Sequence, residues 1–233
     1  MIEKIREELR SLADPEKAAH LMRFFKTGEG EYGYGDIFLG ITVPRIRSIV
    51  KTFAKDTAID DIPSLLHDKY HECRMAALLM LVYKYEKSGS AEERQKIFDI
   101  YTGNIQYINN WDLVDLSAPG IVGKHLSGRD CSLLYEFVGG ESLWEQRVAV
   151  VSTFTFIRDG NSDHTFEMAR RLMDTKYDLM QKAVGWMLRE AGKPNKGLLI
   201  AFLNGNRHNM PRTMLRYAIE KFSEEERRFF MRK

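Results

Sequence analysis

Nothing in this sequence is long and apolar enough to span a bilayer, which takes ~20 consecutive apolar residues. The opening residues Met1-Ile2-Glu3-Lys4-Ile5-Arg6 lack the uncharged core of a secretory leader and read instead as the start of an amphipathic helix. Cysteine is scarce. Cys73 and Cys131 lie far apart in apolar helical context, so buried free thiols in a reducing cytoplasm are expected rather than a disulfide. Convincing strand alternation is missing, as is a P-loop, and no serine or cysteine stands in a recognisable nucleophile context. No cofactor and no metal are expected.

Two weaker patterns fail on their surroundings. Residues 28–33 formally contain G-x-G-x-x-G, but a dinucleotide fingerprint needs a strand before it and a helix directly after. Here a helix precedes, and Phe38-Leu39-Gly40-Ile41-Thr42-Val43-Pro44 follows, so an aromatic-bearing loop is expected. His67 and His71 have i,i+4 spacing, but no Glu follows His67; the zinc-protease pattern is absent, and both are expected on a helix surface.

What is present is ample core material: 44% apolar residues, with 29% charged. The net charge of +2 conceals an asymmetry. Residues 181–233 hold 12 Lys/Arg against 5 Asp/Glu, while residues 1–180 hold 23 against 28. That fits a polyanionic partner near the C-terminal third, or simply a solvated basic face.

Apolar positions Ile5, Leu9, Leu12 and then Ala18, Leu21, Met22, Phe25 recur at helical spacing, with Asp14 a suitable N-cap and Pro15 suited to the first helical position. Pro44 opens another helix, and residues 113–122 form an apolar run expected to be helical. Beyond residue 60 the chain repeats. Segments around positions 74, 110, 147, 182 and 212 can be superposed, at separations of 36, 37, 35 and 30 residues. A two-helix period of this size predicts an all-α fold, an α-solenoid of HEAT-like repeats. Stacked repeats make one superhelical domain over residues 1–233, with a concave surface lined by one helix per repeat.

All three tryptophans have a charged helical neighbour: Trp111 with Asp115, Trp144 with Arg147, and Trp186 with Arg189. Lys182, Trp186 and Arg189 put cation, indole and cation on one face. Such a face is costly to bury, and it suits an indole stacked on sugar or base while cations hold phosphates. The alternative, open for each pair, is repeat core with structural ion pairs.

The segments Asn110-Trp111-Asp112-x-Val114-Asp115, Leu143-Trp144-x-Gln146-Arg147-x-Ala149 and Gln181-Lys182-Ala183-x-Gly185-Trp186-x-Leu188-Arg189-Glu190 closely resemble the AlkD-like DNA alkylation repair family, HEAT-like-repeat DNA glycosylases. Phe38-Leu39-Gly40-Ile41-x-x-Pro44 is similar too. The resemblance implies a monomeric glycosylase that binds double-stranded DNA in the concave groove. It would excise N3- and N7-alkylated purines such as 3-methyladenine and 7-methylguanine without a deep pocket for a flipped base. It would work in the cytoplasm, on the nucleoid when bound. By motif, Asp115 would be the catalytic carboxylate, Trp111 and Trp186 would contact the lesion deoxyribose and backbone, and Arg147 and Arg189 would engage phosphate. Lys182, Lys193 and Arg212 would add cationic contacts, and Phe24 stands where some members carry a tyrosine. A non-catalytic helical module that binds DNA or a protein is the competing reading.

Overall fold

The computed structural model describes residues 1–232, and no strand occurs among them. The nearest thing to a sheet is one isolated bridge, Ile37 to Tyr70. No helix of the described residues is long and apolar enough to cross a membrane. The chain forms two compact units, the first Met1–Ile121 and the second beginning at Val122.

The first unit starts with α1 (Ile2–Ser11) and α2 (Pro15–Phe24). The junction follows the expected chemistry: Asp14 accepts from Lys17 N at 3.1 Å, and Pro15, which has no N–H to orphan, takes the first helical position. Then come α3 (Val43–Phe53), α4 (Ile62–Leu66), α5 (His71–Lys87), α6 (Ala91–Thr102) and α7 (Trp111–Asp115). Helix α5 is the centre of this unit and packs on α1, α3, α4, α6 and α7. It is buried around most of its circumference over residues 71–81, as a helix enclosed by others must be.

The loop over residues 25–42 leads from α2 into α3. Its glycines do what the sequence context requires. Gly30 and Gly35 have φ of 76° and 81°, and Gly40 has φ of 88°. A Cβ on Gly40 would stand 2.2 Å from the Asp14 carbonyl oxygen, so only glycine lets this strand of chain press against the start of α2. Glu72, 1% exposed, fixes the same segment from the other side. It accepts from the backbone N–H groups of Leu39, Gly40 and Ile41 at 2.8, 2.8 and 3.1 Å.

The second unit contains α8 (Lys124–Leu126), α9 (Ser132–Gly139), α10 (Leu143–Arg158), α11 (Asp163–Arg171), α12 (Asp178–Gly192), α13 (Lys196–Asn206), α14 (Arg212–Ala218) and α15 (Glu224–Met231). Helices α10 and α12 are its core, with α9 and α11 packed on α10 and α13 and α14 on α12. At Gly185 an added Cβ would lie 2.5 Å from the Met214 carbonyl oxygen, so α12 and α14 meet backbone to backbone. Helix α15 opens with a reciprocal capping box between Ser223 and Glu226.

Two expectations need correction. The apolar run 113–122 is not one helix: α7 ends at Asp115, and a π-helical turn covers Pro119–Gly123. Pro119 supplies no N–H and disfavours helical geometry just before it, which interrupts the ladder. His67 is on the surface, but His71 is 2% exposed, because it opens the enclosed helix α5. The free thiols are as expected, Cys73 and Cys131 both being buried. Burial pushes the Cys73 thiol up to about 12, which keeps it unreactive.

Candidate active site

In the first unit the site is built on α7, whose five residues are too few to hold a helix by themselves. Three devices hold its start. Asn110, fully buried, accepts from the Trp111 N–H at 2.9 Å and donates to Asp36 at 3.4 Å. Asp112 accepts from the Leu113 N–H at 2.9 Å through one oxygen and meets His71 Nε2 at 2.9 Å through the other. The third device is aromatic. Trp111 stacks on Phe25 with centroids 5.1 Å apart and planes 18° apart, and Phe24 meets the indole edge-on at 6.1 Å. Phe24 itself is 57% exposed.

Behind this face lies a buried network. His71 Nδ1 meets Asp36 at 2.8 Å, and Arg74 donates to the second Asp36 oxygen. Burial alone would lower the His71 pKa, but the carboxylates of Asp112 and Asp36 outweigh it and push it up to about 9. Burial would likewise raise Asp36, yet His71 and Arg74 hold its carboxyl below the usual range. A cavity of about 450 Å³ opens beside the network, walled by Phe24, Phe25, Phe38, Ile46 and Met75. The charged groups on its floor, His71, Glu72 and Asp112, already have partners within the protein. What it offers is therefore chiefly apolar wall.

Asp115 closes α7, half-buried and four residues from Trp111, which sets carboxylate and indole on one helical face. Its charge registers on a neighbour: burial pushes the Tyr101 phenol well above its usual range, and Asp115 adds to the rise.

In the second unit α10 carries Arg147 and α12 carries Lys182, Trp186 and Arg189. Trp186 is half-buried, 6.2 Å from the Phe154 ring of α10. Arg147 is 5% exposed and donates to the Leu179 carbonyl at 2.9 Å, so it ties α10 to the first turn of α12. Several cations of this region are engaged within the protein. Lys182 pairs with Asp178 at 2.6 Å, Lys193 with Glu190 at 2.5 Å, and Arg189 with both Glu190 and Glu220. Arg212 donates to the Met231 carbonyl at 2.7 Å and caps the end of α15. Lys182–Asp178 is a partly exposed pair of small net worth, which a phosphate could displace, whereas the Glu190 carboxylate that holds Arg189 and Lys193 is buried.

The structure thus joins Phe24 to Trp111 in one unit and gathers Lys182, Trp186, Arg189 and Arg147 on two packed helices in the other. Asp36, His71 and Arg74 around the first group were not anticipated. Positions 36, 71 and 112 lie 35 and 41 residues apart, near the repeat spacing, but a repeat does not by itself pair side chains, and Asp112 inside the Asn110-Trp111-Asp112 motif was the most direct signal.

Comparison with known proteins bears on the fold and the family. A solved structure from Enterococcus faecalis, titled as a predicted DNA alkylation repair enzyme, is similar with a TM-score of 0.73 and 19% identity, over 91% of this chain and 97% of that one. No curated protein sequence matches. The family model for DNA alkylation repair enzymes matches residues 5–222, which takes in both indole-bearing faces. The chain belongs to the DNA alkylation repair enzyme family.

Proposed function

We propose that this protein is a monofunctional DNA glycosylase that hydrolyses the N-glycosidic bond of N3- and N7-alkylated purines in duplex DNA. The observation that carries the reading is α7: a carboxylate and an indole on one face of a five-residue helix whose start is fixed by buried hydrogen bonds and ring stacking. A fixed site of this kind suits a reaction whose main need is electrostatic.

An N3- or N7-alkylated purine already carries positive charge, so it leaves readily and asks little of a general acid. The sugar left behind becomes oxocarbenium-like as the bond breaks. The Asp115 carboxylate would stabilise that cation and orient the attacking water. Trp111 would place its indole face against the deoxyribose, adding cation–π attraction, and the indole of Trp186 in the second unit would contact the duplex. Arg189 and Lys182 would hold the phosphates, with Lys193 and Arg212 adding cationic contacts and Phe24 beside the indole of Trp111, while Arg147, buried against the Leu179 carbonyl, would hold α12 in place behind them. No metal or cofactor enters this scheme.

The test is release of free 7-methylguanine from duplex DNA under single-turnover conditions, with Asp115→Asn alongside. Loss of a preorganised electrostatic partner should slow excision on the order of 10²–10³-fold while duplex affinity is kept. Equal rates for the two proteins would refute the role of Asp115. Duplex binding by the native protein with no base released would make it a binding module instead.

A further inference from the structure

Helix α7 is short, and both routes that hold its start lead to one side chain. The polar route runs Arg74, Asp36, His71, Asp112, with His71 Nδ1 and Nε2 at 2.8 and 2.9 Å from the two carboxylates. The aromatic route starts on the ring of the same histidine. Phe38 stacks on it at 4.2 Å and 19°, Phe25 stacks on Phe38 at 5.0 Å, and Trp111 stacks on Phe25 at 5.1 Å. A neutral imidazole has one N–H and would turn a bare lone pair toward one of the carboxylates. Carboxylates on both nitrogens therefore call for the imidazolium form.

We propose that His71, as the imidazolium, is the positioning residue of this site: its ring edges clamp Asp36 and Asp112 while its face supports the ring stack that orients Trp111. It fixes the backbone at the start of α7 and the plane of the indole together. The bearing on catalysis rests on the glycosylase reading above, whereas the clamp on α7 does not.

Several charged groups face the ring. Asp36 lies in the segment before α3, and Asp112 lies on α7. Arg74 on α5 pairs with Asp36, Glu72 is the next residue on α5, and Lys17 and His20 of α2 line the same cavity. Glu72 is engaged by three backbone N–H groups and Lys17 by Asp14, which leaves Asp36 and Asp112 as the direct partners. The two carboxylates together hold the proton on the ring until the pH reaches about 9. Above that the clamp opens at one nitrogen, and Trp111 loses its support.

The experiment has two arms. In a Trp144→Phe/Trp186→Phe protein, Trp111 is the sole indole, and its emission is followed from pH 6.5 to 10 without DNA. One transition near pH 9 is expected, absent after His71→Gln, which should show the high-pH emission already at pH 7. A flat trace, or the same transition in His71→Gln, overturns the clamp. Should His71→Gln not fold, nitrogen NMR of the native protein labelled at histidine decides: a doubly protonated His71 ring at pH 7 supports the clamp, and a singly protonated ring overturns it. The second arm measures single-turnover release of 7-methylguanine at pH 7, with all three tryptophans intact. His71→Gln should be slower by about 10–10²-fold, the effect of a small misplacement of reacting groups, at unchanged duplex affinity. A native rate in His71→Gln with loosened Trp111 emission would overturn the positioning role. No release by the native protein would sink the glycosylase reading and leave the first arm to judge the clamp.

Discussion

Replacing Glu72 by Gln is the sharpest test of how the first unit is held. The carboxylate is 1% exposed and spreads three backbone N–H groups over two acceptor oxygens. An amide has one acceptor. In its better orientation it keeps Gly40 and Ile41 and turns its NH₂ toward the Leu39 N–H, so two donors face each other in the core. An unmet buried donor costs about 1–3 kcal/mol, and each of the two remaining bonds loses its charge assistance, about 1 kcal/mol apiece. Easier burial of a neutral group offsets part of this. A net loss of about 2–4 kcal/mol follows, and the urea midpoint of the first unit should fall in proportion at unchanged m. Because Leu39 also bonds Asp14 at the start of α2, the helix that ends in Phe24, Trp111 emission should shift as well. A change under about 0.5 kcal/mol, the range of ordinary surface substitutions, would refute the claim that this carboxylate anchors the loop.

Two further outcomes follow from the same geometry. The His71 pKa is raised from its ordinary 6.5 to about 9 on folding, so its stabilisation is full below pH 6.5 and is lost as the pH rises through about 9. Urea unfolding should weaken by about 3 kcal/mol across that window, and a pH-independent result would contradict the buried imidazolium. At Gly185 helix propensity favours Ala by about 1 kcal/mol, but a Cβ 2.5 Å from the Met214 oxygen forces the backbones apart. Gly185→Ala should destabilise by about 1–2 kcal/mol net in chemical denaturation, and a more stable protein would refute the close crossing.

The helices were legible because local chemistry wrote them. Asp14 with Pro15, and Pro44, mark boundaries that the fold keeps. The indoles were legible as outliers, since an indole beside charge is an odd choice for a core. What escaped was long-range. Asp36 and His71 are 35 residues apart in the chain, and their pairing depends on a loop whose path is set by Glu72 and Gly40. The break after Asp115 was missed for a different reason: apolar content was read as helix, while Pro119 withdrew the backbone donor a continuous helix requires. The charge surplus of the last third was visible too, but the pairing of Lys182 with Asp178, Lys193 with Glu190 and Arg189 with Glu220 needed coordinates, because Glu220 reaches Arg189 from beyond α14.

The close crossing at residue 185 has a consequence for Trp186. With the Met214 carbonyl oxygen and the Tyr217 Cβ both 2.5 Å from where a Cβ would stand, α12 has little room to turn about its own axis. The ring is therefore aimed before any ligand arrives, and an encounter with one need not spend entropy on choosing its direction.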